Sequence, residues 1–290
     1  MKIDLHSHTY YSDGLLSPKE LIQRALNMQV DVLAITDHDT ISGIAEARDA
    51  VKESTKPGKP PRLEIIAGVE ISTSWHNFDI HILGLNVDIN DQTFLSRLAE
   101  QSQRRDERAL QINEKLEKAG VHGVLDKAQK LAGKGQITRA HFARAMVELQ
   151  AVKDADSAFK KYLGKGKRAH VKPKWISIEE AISWIHDAGG QAVLAHPGHY
   201  DMTTKWLRRL VAQFAEAKGD GMEVIHSHLS PVKRQLLIDL TKEHSLLASS
   251  GSDFHFPNRW TELGKNLSLP KNVTPVWSDW TFAQAEALSS

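Results

Sequence analysis

His6 and His8 stand one residue apart in the short apolar run that opens the chain, and Asp13 follows five residues later. On an extended strand, residues i and i+2 point to the same face, so the two imidazoles project together and can hold one metal ion. A solvated His-x-His near a terminus reads the same way, and the pair by itself decides nothing. The pattern recurs. His38 stands in Thr36-Asp37-His38-Asp39 behind Val32-Leu33-Ala34, and Glu70 follows the run Leu63 to Ala67. His81 precedes Ile82-Leu83, and His196-Pro197 follows Ala192-Val193-Leu194-Ala195. Asp253 and His255 follow Leu246-Leu247-Ala248 and a Ser-Ser-Gly-Ser turn.

His6, His8, Asp13, His38, Glu70, His81, His196, Asp253 and His255 are therefore nine candidate ligands in or beside short apolar runs. A catalytic metal takes three or four protein ligands and keeps an open position, so this set implies two or three ions. Imidazole serves zinc, iron, nickel or copper, and carboxylate favours magnesium and manganese; a mixed set leaves manganese, iron and zinc open. Clustered divalent ions polarise P–O bonds, lower the pKa of water toward ~7 and hold an attacking hydroxide opposite the leaving oxygen. That chemistry needs no side-chain nucleophile, and the chain has no cysteine and no Gly-x-Ser-x-Gly elbow.

Elements must bring these residues together. Up to about residue 90, short apolar runs alternate with helical patterns, one starting at Ser17-Pro18-Lys-Glu20 and one over 44–53. Strands alternating with helices argue a parallel α/β architecture, in which functional residues lie at the carboxyl ends of strands. From 91 to about 170 the pattern is all-helical, with turns near Gly120, Gly133-Lys-Gly135 and Gly164-Lys-Gly166. The strand pattern returns at Gln191-Ala-Val-Leu-Ala195. This predicts an α/β body over 1–90 and 171–290, with 91–170 as a helical insertion. The charge run 103–108 reads as a solvated helix face, and Trp277, Trp280 and Phe282 as anchors of the tail. Strand adjacency groups His6 and His8 with Asp253, Asp13 with His38 and His255, and Glu70 with His81 and His196, with Glu70 as a bridge to the first group.

Composition narrows the function class. The 290 residues carry 37 basic and 36 acidic side chains, a net charge of +1, so any anion site must be local rather than a long-range field. Absence of cysteine excludes disulfides and thiolate zinc sites. The ligand pattern begins within a few residues of Met1, so no cleavable leader is expected. No apolar stretch approaches the ~20 residues that span a bilayer, and a cytoplasmic location is expected.

The segments Asp4-Leu-His6-Ser-His8, Thr36-Asp37-His38-Asp39, Glu70, His81, Ala195-His196-Pro197 and Gly251-Ser-Asp253-Phe-His255 resemble the motif set of the PHP (polymerase and histidinol phosphatase) superfamily, in the family's order. Within that superfamily the chain resembles the free-standing bacterial members, the ribonuclease AM or 3′,5′-nucleotide bisphosphate phosphatase group. That similarity includes Gln136-Ile-Thr-Arg139-Ala-His141-Phe-Ala-Arg144 and Phe159-Lys-Lys-Tyr162-Leu-Gly-Lys-Gly166.

The resemblance implies a distorted (β/α)7 barrel capped by the insertion and three divalent ions, manganese foremost, with iron, zinc or magnesium as alternatives. It implies hydrolysis of the 3′-phosphate ester of nucleotide 3′,5′-bisphosphates and 5′→3′ trimming of short 5′-phosphorylated RNA or DNA. On spacing alone 138–144 is a capped basic helix. The resemblance sets it over the active site, so that Arg139, then His141 and Arg144, become the expected phosphate contacts. Asp4, Asp37 and Asp39 are candidates to orient metal-bound imidazoles, Asp39 equally a helix N-cap. His226-Ser-His228 is read as a substrate contact. The alternatives are a phosphatase of the histidinol phosphate type and a non-catalytic PHP metal-binding module.

Overall fold

The computed structural model describes residues 1–59, 61–227 and 229–282. Seven strands follow one another round the sheet in chain order: β1 (Ile3–Asp4), β2 (Val32–Ile35), β3 (Glu64–Trp75), β4 (Phe78–Leu85), β5 (Gln191–Leu194), β6 (Gly221–Ile225) and β7 (Leu247–Ser250). β1, β2 and β3 run parallel, as do β5, β6 and β7. β4 is antiparallel to both its neighbours. Beyond the ends of β1 and β7 the backbone draws the ring together. Leu5 N–H donates to the Ser250 carbonyl (3.1 Å), His8 N–H to that of Phe254 (2.9 Å) and Asp253 N–H to that of His6 (3.0 Å). The result is a nearly closed, distorted seven-strand barrel, as expected from the sequence.

The distortion lies at β3 and β4. Trp75 pairs with Phe78, so only His76 and Asn77 connect the strands, with His76 in the left-handed region (φ 51°). A parallel return needs a crossover of about a dozen residues; two residues allow only a hairpin. The strict strand–helix alternation read from the sequence fails at this point, and with it the placing of His81 at a strand's carboxyl end. Because β4 runs backwards, its amino-terminal half lies where the parallel strands finish. His81 pairs with Ser72 and so reaches the same opening as Glu70.

Among the described residues nine α-helices surround the strands. α1 (Pro18–Asn27) starts at a capping box of Ser17 and Glu20, with Pro18 in its first turn, and α2 (Gly43–Ser54) follows β2. Between β4 and β5 come α3 (Gln92–Lys118), α4 (Val124–Ala132), α5 (Arg139–Glu148), α6 (Ala155–Ala158) and α7 (Ile178–Asp187), and later α8 (Thr204–Glu216) and α9 (Pro231–Glu243). The long α3 serves two cores. Phe94 and Leu98 pack against the barrel, whereas Ala109, Ile112 and Leu116 join Phe142, Met146 and Leu163 in a separate cluster. The turn after α4 docks on the loop carrying Asp13: Gln136 N–H donates to the Tyr11 carbonyl (2.7 Å). A Cβ on Gly135 would lie 2.1 Å from the Tyr10 carbonyl oxygen, so only glycine permits this approach.

Inside the barrel, Ile3, Leu5, Ala34, Ile66, Leu83 and Val193 meet Val276 and Trp280 of the tail. Trp280 Nε1 donates to Gln191 Oε1 (2.6 Å) at the first residue of β5. The tail thus closes the end where the parallel strands begin and leaves the other end free for chemistry.

Candidate metal centre

All nine candidate ligands converge at that free end. Five of the six separations among His6 Nε2, His8 Nε2, Glu70 Oε2 and Asp253 Oδ1 lie between 3.2 and 3.4 Å. The centre of a tetrahedron with such edges is about 2.0 Å from each corner, the length of a zinc–imidazole or zinc–carboxylate bond. The other Glu70 oxygen, Oε1, lies 2.8 Å from His81 Nδ1 and 2.9 Å from His196 Nε2, and those two nitrogens are 3.3 Å apart. Asp13 Oδ1 stands 3.2 Å from His255 Nε2 and 3.7 Å from His38 Nε2. His38 Nδ1 faces Glu70 Oε2 at 3.0 Å. Glu70 therefore divides its two oxygens between two donor sets, and His38 joins it to the third.

The electrostatics ask for positive charge. Burial raises the Glu70 carboxyl, but the imidazoles of His38, His81 and His6 outweigh it and hold it well below the usual carboxylate range. The same contest holds Asp13 down through His38 and His255, and Asp253 through His6 and His255. Conversely, burial lowers His8, but its bonds to Asp253 and Glu70 prevail and lift it to about 10. Buried carboxylates this crowded need either protons on the imidazoles or cations among them. Among the described residues, Asp13 Oδ1 and Glu70 Oε2 are buried with no hydrogen-bond partner. The donor types, spacings and unmatched oxygens all suit divalent metal binding.

Three site residues adopt backbone angles unusual for non-glycine residues: Asp39 (φ 52°), Asp253 (φ 54°) and His196 (φ 31°), the last immediately before a proline. Such conformations persist where surrounding bonds fix them. His196 N–H donates to Glu223 Oε2 (2.5 Å). The other Glu223 oxygen receives His6 Nδ1–H (3.1 Å), turning Nε2 toward the cluster. Glu223 is fully buried in the middle of β6. Sequence reasoning passed over it, although a lone carboxylate in Gly-Met-Glu-Val-Ile was a signal. His8 is oriented through a relay: Nδ1 faces Ser12 Oγ (3.3 Å), whose hydroxyl donates to Asp37 Oδ1 (2.6 Å). Among the described residues Asp4 touches no imidazole; it receives the backbone N–H groups of Ser252 and Gly264. Asp39 is not a helix cap, since Ser42 occupies that position. It receives Ser72 N–H (2.8 Å) and Arg105 Nε–H (2.7 Å).

Arg105 departs from the reading of 103–108 as a solvated face, which holds for Gln103, Asp106 and Glu107. It is 7% exposed and donates to Ser72 Oγ (2.7 Å). With Arg108, one helical turn on, it lies over Trp175. An i,i+3 arginine pair was the available signal. Both arginines and Arg139 line a cavity of ≈ 150 Å³ that Asp13, His38 and His81 also line. Arg139 faces Asp79 at 3.4 Å. Burial first, then Arg139 and Arg105, push the Arg108 guanidinium below its ordinary range, a crowding of like charge that an anion would relieve.

The other expected contacts stand off this cavity. His141 is buried and closes the capping box at the start of α5, its Nδ1 accepting Thr138 N–H (3.1 Å). Arg144 sits behind Asp13, 3.5 Å from its carbonyl. His226 is buried with its ring 4.1 Å from that of His199, and His228 lies outside the described residues.

The PHP domain model matches residues 4–192. The chain belongs to the PHP domain family. This PHP protein is 51% identical over 281 residues to the "5'-3' exoribonuclease Rnm" of Escherichia coli, covering 97% of the chain and 94% of that protein. It is 40% identical over 279 residues to a "3',5'-nucleoside bisphosphate phosphatase" of Chromobacterium violaceum, covering 96% and 95%. A solved structure of an amidohydrolase from Chromobacterium violaceum, with bound sulfate and no metal, superposes with a TM-score of 0.88 at 39% identity, covering 98% and 96%. Among the described residues, no helix of this PHP protein is long and apolar enough to cross a membrane.

Proposed function

We propose that the chain is a metal-dependent phosphoesterase that hydrolyses the 3′-phosphate ester of nucleoside 3′,5′-bisphosphates and trims short 5′-phosphorylated RNA and DNA from the 5′ end. The observation that carries this reading is the shared cavity: Asp13, His38 and His81 of the candidate metal cluster line it together with Arg105, Arg108 and Arg139. The relatives named exoribonuclease and nucleoside bisphosphate phosphatase support it.

His6, His8, Glu70 and Asp253 would hold one ion, Glu70, His81 and His196 a second, and Asp13, His38 and His255 a third, with manganese the first choice of metal. Bound divalent ions supply polarisation of the phosphoryl oxygens and a water acidified for attack. The protein's own groups do the rest. Glu223 and Ser12 fix the imidazole faces of His6 and His8. Arg139, Arg105 and Arg108 take the 5′-phosphate, whose charge they are crowded to meet. His141 and Arg144 act behind them, one holding the start of α5 and the other backing Asp13. Trp175 and Phe159 wall the cavity, and residues 91–170 serve as its cap. Water adds to phosphorus, the bond to O3′ breaks, O3′ takes up a proton, and the nucleoside 5′-monophosphate leaves with a free 3′-hydroxyl. The cytoplasm, where such substrates arise, is the location that goes with this reading.

The test is phosphate release by manganese-loaded enzyme from adenosine 3′,5′-bisphosphate, 3′-AMP, 5′-AMP and histidinol phosphate, with Asp13→Ala as the inactive control. The bisphosphate should be preferred. Arg139→Ala, losing charge-assisted bonds worth ~1.5–3 kcal/mol, should cut that preference over 3′-AMP by about 10- to 100-fold. An unchanged preference refutes the arginine assignment, and turnover of histidinol phosphate alone refutes the nucleotide reading.

A further inference from the structure

A second, larger cavity adjoins the first. Its volume is ≈ 390 Å³, and the two share Asp79 and Arg139. Small-molecule sites span about 300–1,000 Å³, so the first cavity suffices for little beyond a phosphate and its sugar, whereas the second has room for a further nucleoside. None of the nine candidate ligands lines it, and it borders the cluster through Tyr200. Tyr200 forms part of its wall; its hydroxyl accepts His81 N–H (3.0 Å) and its ring lies 5.3 Å from that of His196. The opposite wall comes from the segment that ends the insertion. Lys165 donates to the Asn77 carbonyl (2.7 Å) and lies over the Phe78 ring, 5.3 Å from its centre. Lys172 is exposed, and among the described residues no hydrogen bond or ion pair holds it. His170 stands beside it.

Resting on the reaction proposed above, we infer that this second cavity receives the polynucleotide downstream of the scissile phosphate. The chemistry requires such a place. When the P–O3′ bond breaks, the phosphate stays on the downstream strand through its O5′, so that strand must leave the metal cluster on a side not filled by the 5′-terminal nucleotide. Binding to single strands without sequence preference combines cations along the backbone with aromatic faces for the bases. Lys165, Lys172 and His170 supply the first, and Phe78 and Tyr200 the second. A nucleoside bisphosphate has no downstream strand and would not touch Lys172. One active site would thus accept both substrate classes, with the second cavity setting how well it holds the longer.

The experiment compares wild-type enzyme and Lys172→Glu on adenosine 3′,5′-bisphosphate and on a 5′-phosphorylated tetranucleotide. Binding of a 3′-labelled tetranucleotide is read by fluorescence anisotropy in chelator, so that it does not depend on turnover. Lys172→Glu should raise KM and the dissociation constant for the tetranucleotide about tenfold and flatten the log–log salt dependence by about 0.7, the contribution of one contact to a single strand. Its kcat/KM for the bisphosphate should stay within about twofold, since Lys172 contacts only the longer substrate. An equal loss on both substrates would assign the cavity to the first nucleoside and overturn the inference. No loss on the tetranucleotide would take the cavity off the strand's path, with the same result. Wild-type enzyme inactive on both would remove the proposed reaction itself, and this inference with it.

Discussion

Replacing Glu223 by glutamine tests the metal centre without touching a ligand. Glu223 is fully buried and meets two donors, His6 Nδ1–H at 3.1 Å and His196 N–H at 2.5 Å. Glutamine keeps the shape but offers one oxygen and one amide NH2, so one donor must face another donor. The substitution removes a charge-assisted bond worth ~1.5–3 kcal/mol. At 1.4 kcal/mol per factor of ten, that is about 10- to 100-fold in affinity, the range found when the outer partner of a metal-bound histidine is lost. The loss should be selective. It should fall on the ions held through His6 and His196, while the set formed by Asp13, His38 and His255 stays at wild-type strength, since none of those three touches Glu223. Titrating manganese into metal-free protein against a fluorescent chelator resolves the sites, and circular dichroism of the same samples reports folding. A folded Glu223→Gln protein that binds every ion as tightly as wild type would refute the argument and reduce Glu223 to packing.

Two further outcomes follow from the same packing. A methyl group on Gly251 would lie 2.2 Å from His6 Cβ and 2.6 Å from Glu223 Oε1; Gly251→Ala should therefore lower stability by about 1–3 kcal/mol and weaken the ion held through His6, as read by thermal unfolding with and without manganese. Burial, and after it the charge of Arg144, hold His141 down at about 4, against ~6.5 when unfolded. The unfolded chain thus takes up the proton first as pH falls, and the stability that His141 contributes above pH ~6.5 is lost on the way down to 4, about 2 kcal/mol of it between pH 7 and pH 5. His141→Gln keeps an acceptor for Thr138 N–H and should flatten that fall in urea unfolding; an unchanged difference between the two pH values would show that His141 is not buried neutral.

The clustered His, Asp and Glu residues, the candidate ligands, were legible because their rules are local. A His-x-His on a strand, a carboxylate at the end of an apolar run and a histidine before proline each announce themselves within a few residues, and the motif order supplied the family. The short turn Trp75-His-Asn-Phe78 was less legible, because nothing in the flanking apolar runs distinguishes a hairpin from a parallel pair. The residues that support the ligands were the least legible. Glu223 reaches His6 across 217 positions of sequence, and Arg105 and Arg108 look like any charged helix until α3 is laid over Asp39 and Ser72. Composition cannot say which side of a charged helix faces a wall. His141 failed in the opposite direction: its spacing from Thr138 is that of a capping box, and the local bond accounts for it.

The closure of the barrel ties the two extremities of the chain. Ser252 N–H donates to the Asp4 carboxylate across 248 positions, and both sides of that seam bear proposed metal ligands. During synthesis, therefore, the strand with His6 and His8 is made well before Asp253 and His255 and waits for them. Pairing so remote in sequence forms slowly, and no partial product can assemble all three donor sets. A phosphoesterase of the kind proposed, built this way, would stay inactive until the segment bearing Asp253 and His255 has been made and paired.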